Sequence, residues 1–79
     1  MNIRIEYCEM WNYKPRALSL RADLSDEYGY WSKLVTGARG SFEVYVDEYL
    51  LFSKLELDRF PNESEIINLI NLYSENGEI

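Results

Sequence analysis

Histidine is absent from the 79 residues, and cysteine occurs once, at position 8. Without an imidazole there is no His base, no Cys/His nucleophile pair and no ordinary zinc site. A single cysteine excludes an internal disulfide. Most hydrolase and metalloenzyme chemistries fall with these two absences, and no metal is expected. Long apolar runs are also lacking. No stretch approaches the roughly 20 residues of a membrane span, and Met1-Asn2-Ile3-Arg4-Ile5 lacks the apolar segment of a secretory signal. The expectation is a cytoplasmic protein without a membrane partner. Two prolines, four glycines and no serine-rich or charged run leave no linker, repeat or low-complexity tract. A chain of this length buries only about 60 to 65% of its unfolded surface. We therefore expect one small domain over residues 1–79, with one core and no large cofactor cavity.

Positive charge is scarce where the chain ends. Residues 1 to 40 carry six basic and five acidic side chains, residues 41 to 79 two and nine, for a net charge of −6. An acidic half repels phosphate, so nucleic acid is not an expected partner. The acidity reads most simply as a solubilising surface.

Against those absences, 47% of the residues are hydrophobic and their spacing is informative. Ile3, Ile5 and Tyr7 alternate with Arg4 and Glu6 over residues 2–7, the period of a strand with one buried face. Pro15 opens a helical pattern through Ala17, Leu20, Ala22, Leu24 and Tyr28, which Gly29 closes, giving a helix over about 14–28. Residues 31–35 predict a second strand before the breaker Gly37-Ala38-Arg39-Gly40. Phe42, Val44 and Val46 alternate with Glu43 and Tyr45, and after Asp47-Glu48 the run from Tyr49 to Lys54 completes a hairpin. This register predicts Phe42, Val44 and Val46 on the core and Glu43 and Tyr45 facing outward. Asp47-Glu48 lacks the glycine such turns prefer, which predicts a looser or longer connection. Asn62 with Glu65 makes a capping-box pattern, followed by Ile66, Leu69, Ile70 and Tyr73 at helical spacing up to Asn76-Gly77, for a helix over about 62–75. The order βαβββα predicts an α/β (α+β) fold in which two helices cover a four-stranded mixed sheet, a thioredoxin-like arrangement.

Chemistry falls to Cys8, where the first strand hands its side chain toward a helix. A helix N-terminus and nearby cations favour a thiolate, and Lys14, Arg16 and Arg39 are the candidate cations, with Glu9 working against them. The alternative is a small buried hydrophobe at a strand end.

The run from Ile5 to Ala17, IEYCEMWNYKPRA, resembles the opening of the selenoprotein W-related family, also called Rdx or selenoprotein W/T/H. Gly40 to Asp47, then Leu51-Phe52-Ser53-Lys54, then Arg59-Phe60-Pro61, resembles the family's hairpin and its Phe-Pro entry to the last helix. The resemblance spans residues 3 to about 72. It implies a thioredoxin-like fold and thiol redox chemistry with glutathione or protein partners. The family motif is Cys-x-x-Cys or Cys-x-x-selenocysteine. Cys8 falls on its first position and Trp11 on its second, so a dithiol cycle within this chain is excluded. By the same resemblance the Gly37–Gly40 turn lies beside the Cys8 loop, where Arg39 is a candidate for a carboxylate of glutathione.

Two readings follow. In one, Cys8 is the reacting residue of a monothiol redox protein, at most an oxidoreductase-like activity, forming mixed disulfides with glutathione or a protein thiol. In the other, the scaffold is a redox-inactive adapter that binds a protein through the Trp11 loop, since tryptophan is enriched at binding hot spots. Trp11, Tyr13, Lys14, Arg16 and Arg39 are the candidate binding residues. No cofactor is expected beyond glutathione as a ligand, and the sequence leaves oligomeric state open.

Overall fold

The computed structural model of the chain describes residues 1 to 75. Its elements are β1 (Ile3–Tyr7), α1 (Lys14–Tyr28), β2 (Lys33–Thr36), β3 (Phe42–Val46), β4 (Tyr49–Ser53), α2 (Lys54–Leu57) and α3 (Glu65–Glu75). The sheet order is β2-β1-β3-β4. β1 is parallel to β2, with Ile5 opposite Leu34, and antiparallel to β3, with Ile5 opposite Val44. β3 and β4 pair antiparallel with an irregularity between Val44 and Tyr45. The mixed four-stranded sheet is the expected one, with a third, one-turn helix added.

The core follows from the strand period. Ile3, Ile5 and Tyr7 share one face of the sheet with Phe42, Val44, Val46 and Phe52, and these cluster with Ala17 and Leu24 of α1 and Ile66 and Ile70 of α3. Ile5, Val44, Val46, Leu24 and Ile70 are wholly inaccessible to solvent. Burying each such side chain contributes about 1.5 to 3 kcal/mol. Across the helix pair, the Tyr28 hydroxyl donates to Asn71 Oδ1 at 2.9 Å. No helix among the described residues is long and apolar enough to cross a membrane.

Four expectations are corrected. β2 begins at Lys33 rather than Trp31, because the Trp31 ring turns back under the Arg21 guanidinium of α1 at 4.6 Å and strand pairing starts only at Arg4 opposite Lys33. α3 begins at Glu65 rather than Asn62. Ser64 at φ +67° lies outside the helical region and stands just before the helix, its carbonyl accepting the Asn68 N–H at 3.0 Å, while Glu65 Oε1 accepts the Asn62 N–H at 2.8 Å, the returning half of the capping box. The Asp47-Glu48 connection is tight, with Val46 and Tyr49 paired across it and φ of +50° and +71° at its two residues. Asn2 supports that left-handed pair in glycine's stead: its N–H donates to Asp47 Oδ1 and its carbonyl accepts the Asp47 N–H, each at 2.8 Å. Asn76-Gly77, the expected end of the last helix, lies outside the described residues.

The fourth correction is Glu43. It points away from the core as its register requires, yet it is buried. Its carboxylate accepts the Ser53 hydroxyl and the N–H groups of Phe42 and Leu55, the last two at 3.3 Å. Ser53 Oγ in turn accepts the Glu56 N–H at 3.1 Å as the N-cap of α2, and Asp58 at φ +59° ends that helix after one turn.

Candidate functional site around Cys8

β1 ends at Tyr7, and the next six residues form a compact loop before α1. Tyr13 N–H donates to the Cys8 carbonyl at 3.1 Å and Asn12 N–H to the Glu9 carbonyl at 3.0 Å, which folds the loop back on its first residue. Asn12 adopts φ +60°, a conformation asparagine tolerates better than most residues. The fold places Trp11 N–H 3.4 Å from Cys8 Sγ, the sulfur accepting. Five residues separate Cys8 from Lys14, so the thiol meets the loop's own N–H rather than the end of α1. Cys8 is 1% exposed. The expectation of an exposed side chain at the helix start is corrected by this loop closure.

The Gly37–Gly40 turn lies against the Cys8 loop, as the sequence implied. Gly37 N–H donates to the Tyr7 carbonyl and Cys8 N–H to the Ser41 carbonyl, each at 2.9 Å. Two glycines allow this approach. A Cβ on Gly37 would lie 2.8 Å from Ser41 Oγ, and one on Gly40, at φ +78°, would lie 3.0 Å from Cζ3 of the Trp11 indole. The Trp11 ring therefore rests on Gly40 while half of the residue stays in solvent, at 51% exposure.

From Trp11 a chain of edge-to-face aromatic contacts enters the core: Trp11 to Tyr13 at 6.1 Å between ring centroids, Tyr13 to Phe60 at 4.7 Å, and Phe42 to Phe60 at 5.4 Å. Arg16 sits over Phe60 at 4.0 Å, and Lys54 over both Tyr13 and Phe60 at 5.3 and 5.2 Å. The next segment holds Phe60 in place. Arg59 forms a bidentate pair with Glu65 at 2.8 and 2.9 Å, and this pair with the Asn62 N–H holds the Glu65 carboxyl down to about 2. The same pairing raises the Arg59 guanidinium. A cleft beside Phe60 is lined by Arg16, Leu20, Asp23, Asn62 and Ile67, among others.

The Rdx family model matches residues 2–72 of this sequence. The chain belongs to the Rdx family. It is similar to the migration and invasion enhancer 1 proteins of Bos taurus and Mus musculus, at 35% and 34% identity over 79 residues, covering 99% of this chain and 68% of each relative. It is also similar to human selenoprotein V, at 30% identity over 92% of this chain but 22% of that much longer protein. Among solved structures, a selenoprotein W-related protein from Vibrio cholerae superposes with a TM-score of 0.82 at 19% identity, covering 89% of this chain and 91% of the other. A protein from Bordetella parapertussis gives 0.85 at 21% identity, covering 91% and 95%. These identities speak for the fold, the thioredoxin-like arrangement of selenoprotein W-related proteins.

Within this Rdx chain, the expected site residues divide. Cys8, Trp11 and Tyr13 come together, and Arg16 joins them through Phe60. Lys14 and Arg39 are exposed, and their side chains make no hydrogen bond or ion pair among the described residues. Phe60 and Lys54 join the site without having been expected there, whereas the turn that holds Gly40 was expected beside the Cys8 loop. Phe60 and Lys54 both stand within the sequence blocks that resemble the Rdx family, so their position was marked even though their role was not.

Proposed function

We propose that the protein carries out monothiol–disulfide exchange through Cys8, in the cytoplasm, with glutathione or a protein thiol as the other half of the mixed disulfide. The observation that carries this reading is the Trp11 N–H directed at Cys8 Sγ at 3.4 Å. This backbone donor belongs to the second motif position, and the replacement of that position by Trp11 leaves it in place on the sulfur. In the reaction the Cys8 thiolate attacks one sulfur of a disulfide. One S–S bond forms, one breaks, and the second sulfur leaves as a thiolate that takes up the proton Cys8 has lost, so the disulfide itself is the oxidant. No second cysteine stands in the chain to displace the adduct, which an external thiol must therefore resolve.

The test is intact mass after exposure of the folded protein to oxidised glutathione at mildly alkaline pH. One glutathione adduct is the expected result, absent in Cys8→Ser and removed by added thiol. A folded protein that stays unmodified after prolonged exposure would end this reading.

The adapter reading has its own support. Met10 and Trp11, consecutive in the loop, are 74% and 51% exposed, an apolar tip of the kind a protein partner covers. Under it, Trp11→Ala weakens partner capture while Cys8→Ser does not.

A further inference from the structure

A disulfide can exchange with Cys8 only if Sγ can approach it along the S–S axis, and Cys8, at 1% exposure, offers no such approach with its loop as folded here. The two ends of this loop are well tied. Cys8 N–H is bonded to Ser41 and Tyr13 N–H to the Cys8 carbonyl, while Tyr13 packs on Phe60. The middle is tied less firmly. It is held by the Glu9–Asn12 turn, by the long Trp11 N–H to Sγ bond and by the indole lying on Gly40. Asn12, at φ +60°, joins this middle to the anchored Tyr13, and an asparagine is among the few residue types that reach both this region and the ordinary negative-φ one.

We propose that Trp11 is a latch on the thiol: with the indole seated on Gly40 the Cys8 loop is closed, and lifting the indole by rotation at Asn12 admits a disulfide to Sγ. The proposal rests on the monothiol reading and concerns the regulation of that site. The residue that occupies the second motif position thus keeps its N–H on the sulfur and uses its side chain to control access. Gly40 is the seat of the latch, because any larger residue there carries a Cβ that meets the ring at 3.0 Å.

The experiment measures the rate at which Cys8 in the folded chain reacts with a nitrobenzoate disulfide, whose released thiolate is coloured. Circular dichroism checks the fold, and intact mass locates the adduct. Trp11→Ala is expected to react roughly tenfold faster than the parent, the scale of one lost ring contact, with Trp11→Phe in between and Gly40→Ala also faster. A folded Trp11→Ala that reacts at the parent's measurable rate overturns the latch and leaves the monothiol reading standing. If neither the parent nor the variant reacts until guanidinium unfolds it, both fall. Should Trp11→Ala fail to fold, the Trp31→Phe protein decides, since Trp11 is then its sole indole. Formation of the glutathione adduct is expected to shift its emission to the red, and unchanged emission overturns the latch.

Discussion

The two ends of β1 are stabilised by different means. From Ile3 to Tyr7 every second side chain enters a core shared by four strands and two helices, and there the chain is held by area removed from water. One residue further, at Cys8, the chain is held by backbone bonds between two loops, two glycines that let them touch, and a half-exposed indole. The first kind of order is collective and tolerates no charge. The second is a small number of contacts that can open singly while the sheet persists. Stability and chemistry are therefore adjacent in sequence and separable by mutation.

Val44→Asp attacks the collective side. Val44 is inaccessible to solvent and sits opposite Ile5 and Phe52, so an unpaired carboxylate there costs about 4 kcal/mol or more, enough to leave the chain unfolded by circular dichroism. A folded Val44→Asp protein would place the hairpin in a different register. Glu43→Ala comes next. It strands the Ser53 hydroxyl and the Phe42 and Leu55 N–H groups, for a loss of about 2 to 3 kcal/mol, read as a fall of roughly 10 °C or more in the thermal midpoint. Glu43→Gln falls less, because an amide oxygen still accepts.

Cys8→Ser sharpens the comparison from the other side. Serine fits the same space and can accept the Trp11 N–H, so the midpoint shifts by only about 1 kcal/mol of stability while adduct formation is abolished. A collapse of the fold in this variant would place Cys8 with the core rather than with the loops. The smallest effect belongs to Glu65. Its carboxyl titrates at about 2 in the folded chain against an ordinary 4.5, chiefly through the Arg59 hydrogen bonds and then the Asn62 N–H. A lowered folded value stabilises above the ordinary value and is lost as pH falls toward 2. Between pH 4.5 and 2 the midpoint of the parent should fall a few degrees further than that of Glu65→Gln, a difference kept small by solvent screening. Parallel curves would mean that the pair contributes nothing.

The core was readable in the sequence because its signal is periodic. Alternation in β1 and β3 and helical spacing in α1 gave Ile5, Val44 and Leu24 their places without reference to anything distant. The features that escaped are those in which a distant partner overrides local preference. Asp47-Glu48 turns tightly because Asn2 is there to bond it. Glu43 is buried because Ser53 and α2 supply donors that no alternation pattern encodes. The Cys8 loop was placed by its resemblance to Rdx proteins, but the bond from Cys8 N–H to Ser41 and the seat of the indole on Gly40 depend on contacts between segments some thirty residues apart.

Four residues cannot hold a helix by themselves, since nucleation costs more than one turn returns. α2 exists because Ser53 caps it and the Glu43 carboxylate receives its first free N–H, and Glu43 and Ser53 become neighbours only when β3 and β4 are paired. Amide hydrogen exchange at Leu55 and Glu56 should thus track the opening of the hairpin rather than fraying of a surface turn. Their protection factors would rise and fall with those of the paired strand amides, and Lys54–Leu57 would behave as part of the β3–β4 cooperative unit, not as a helix of its own.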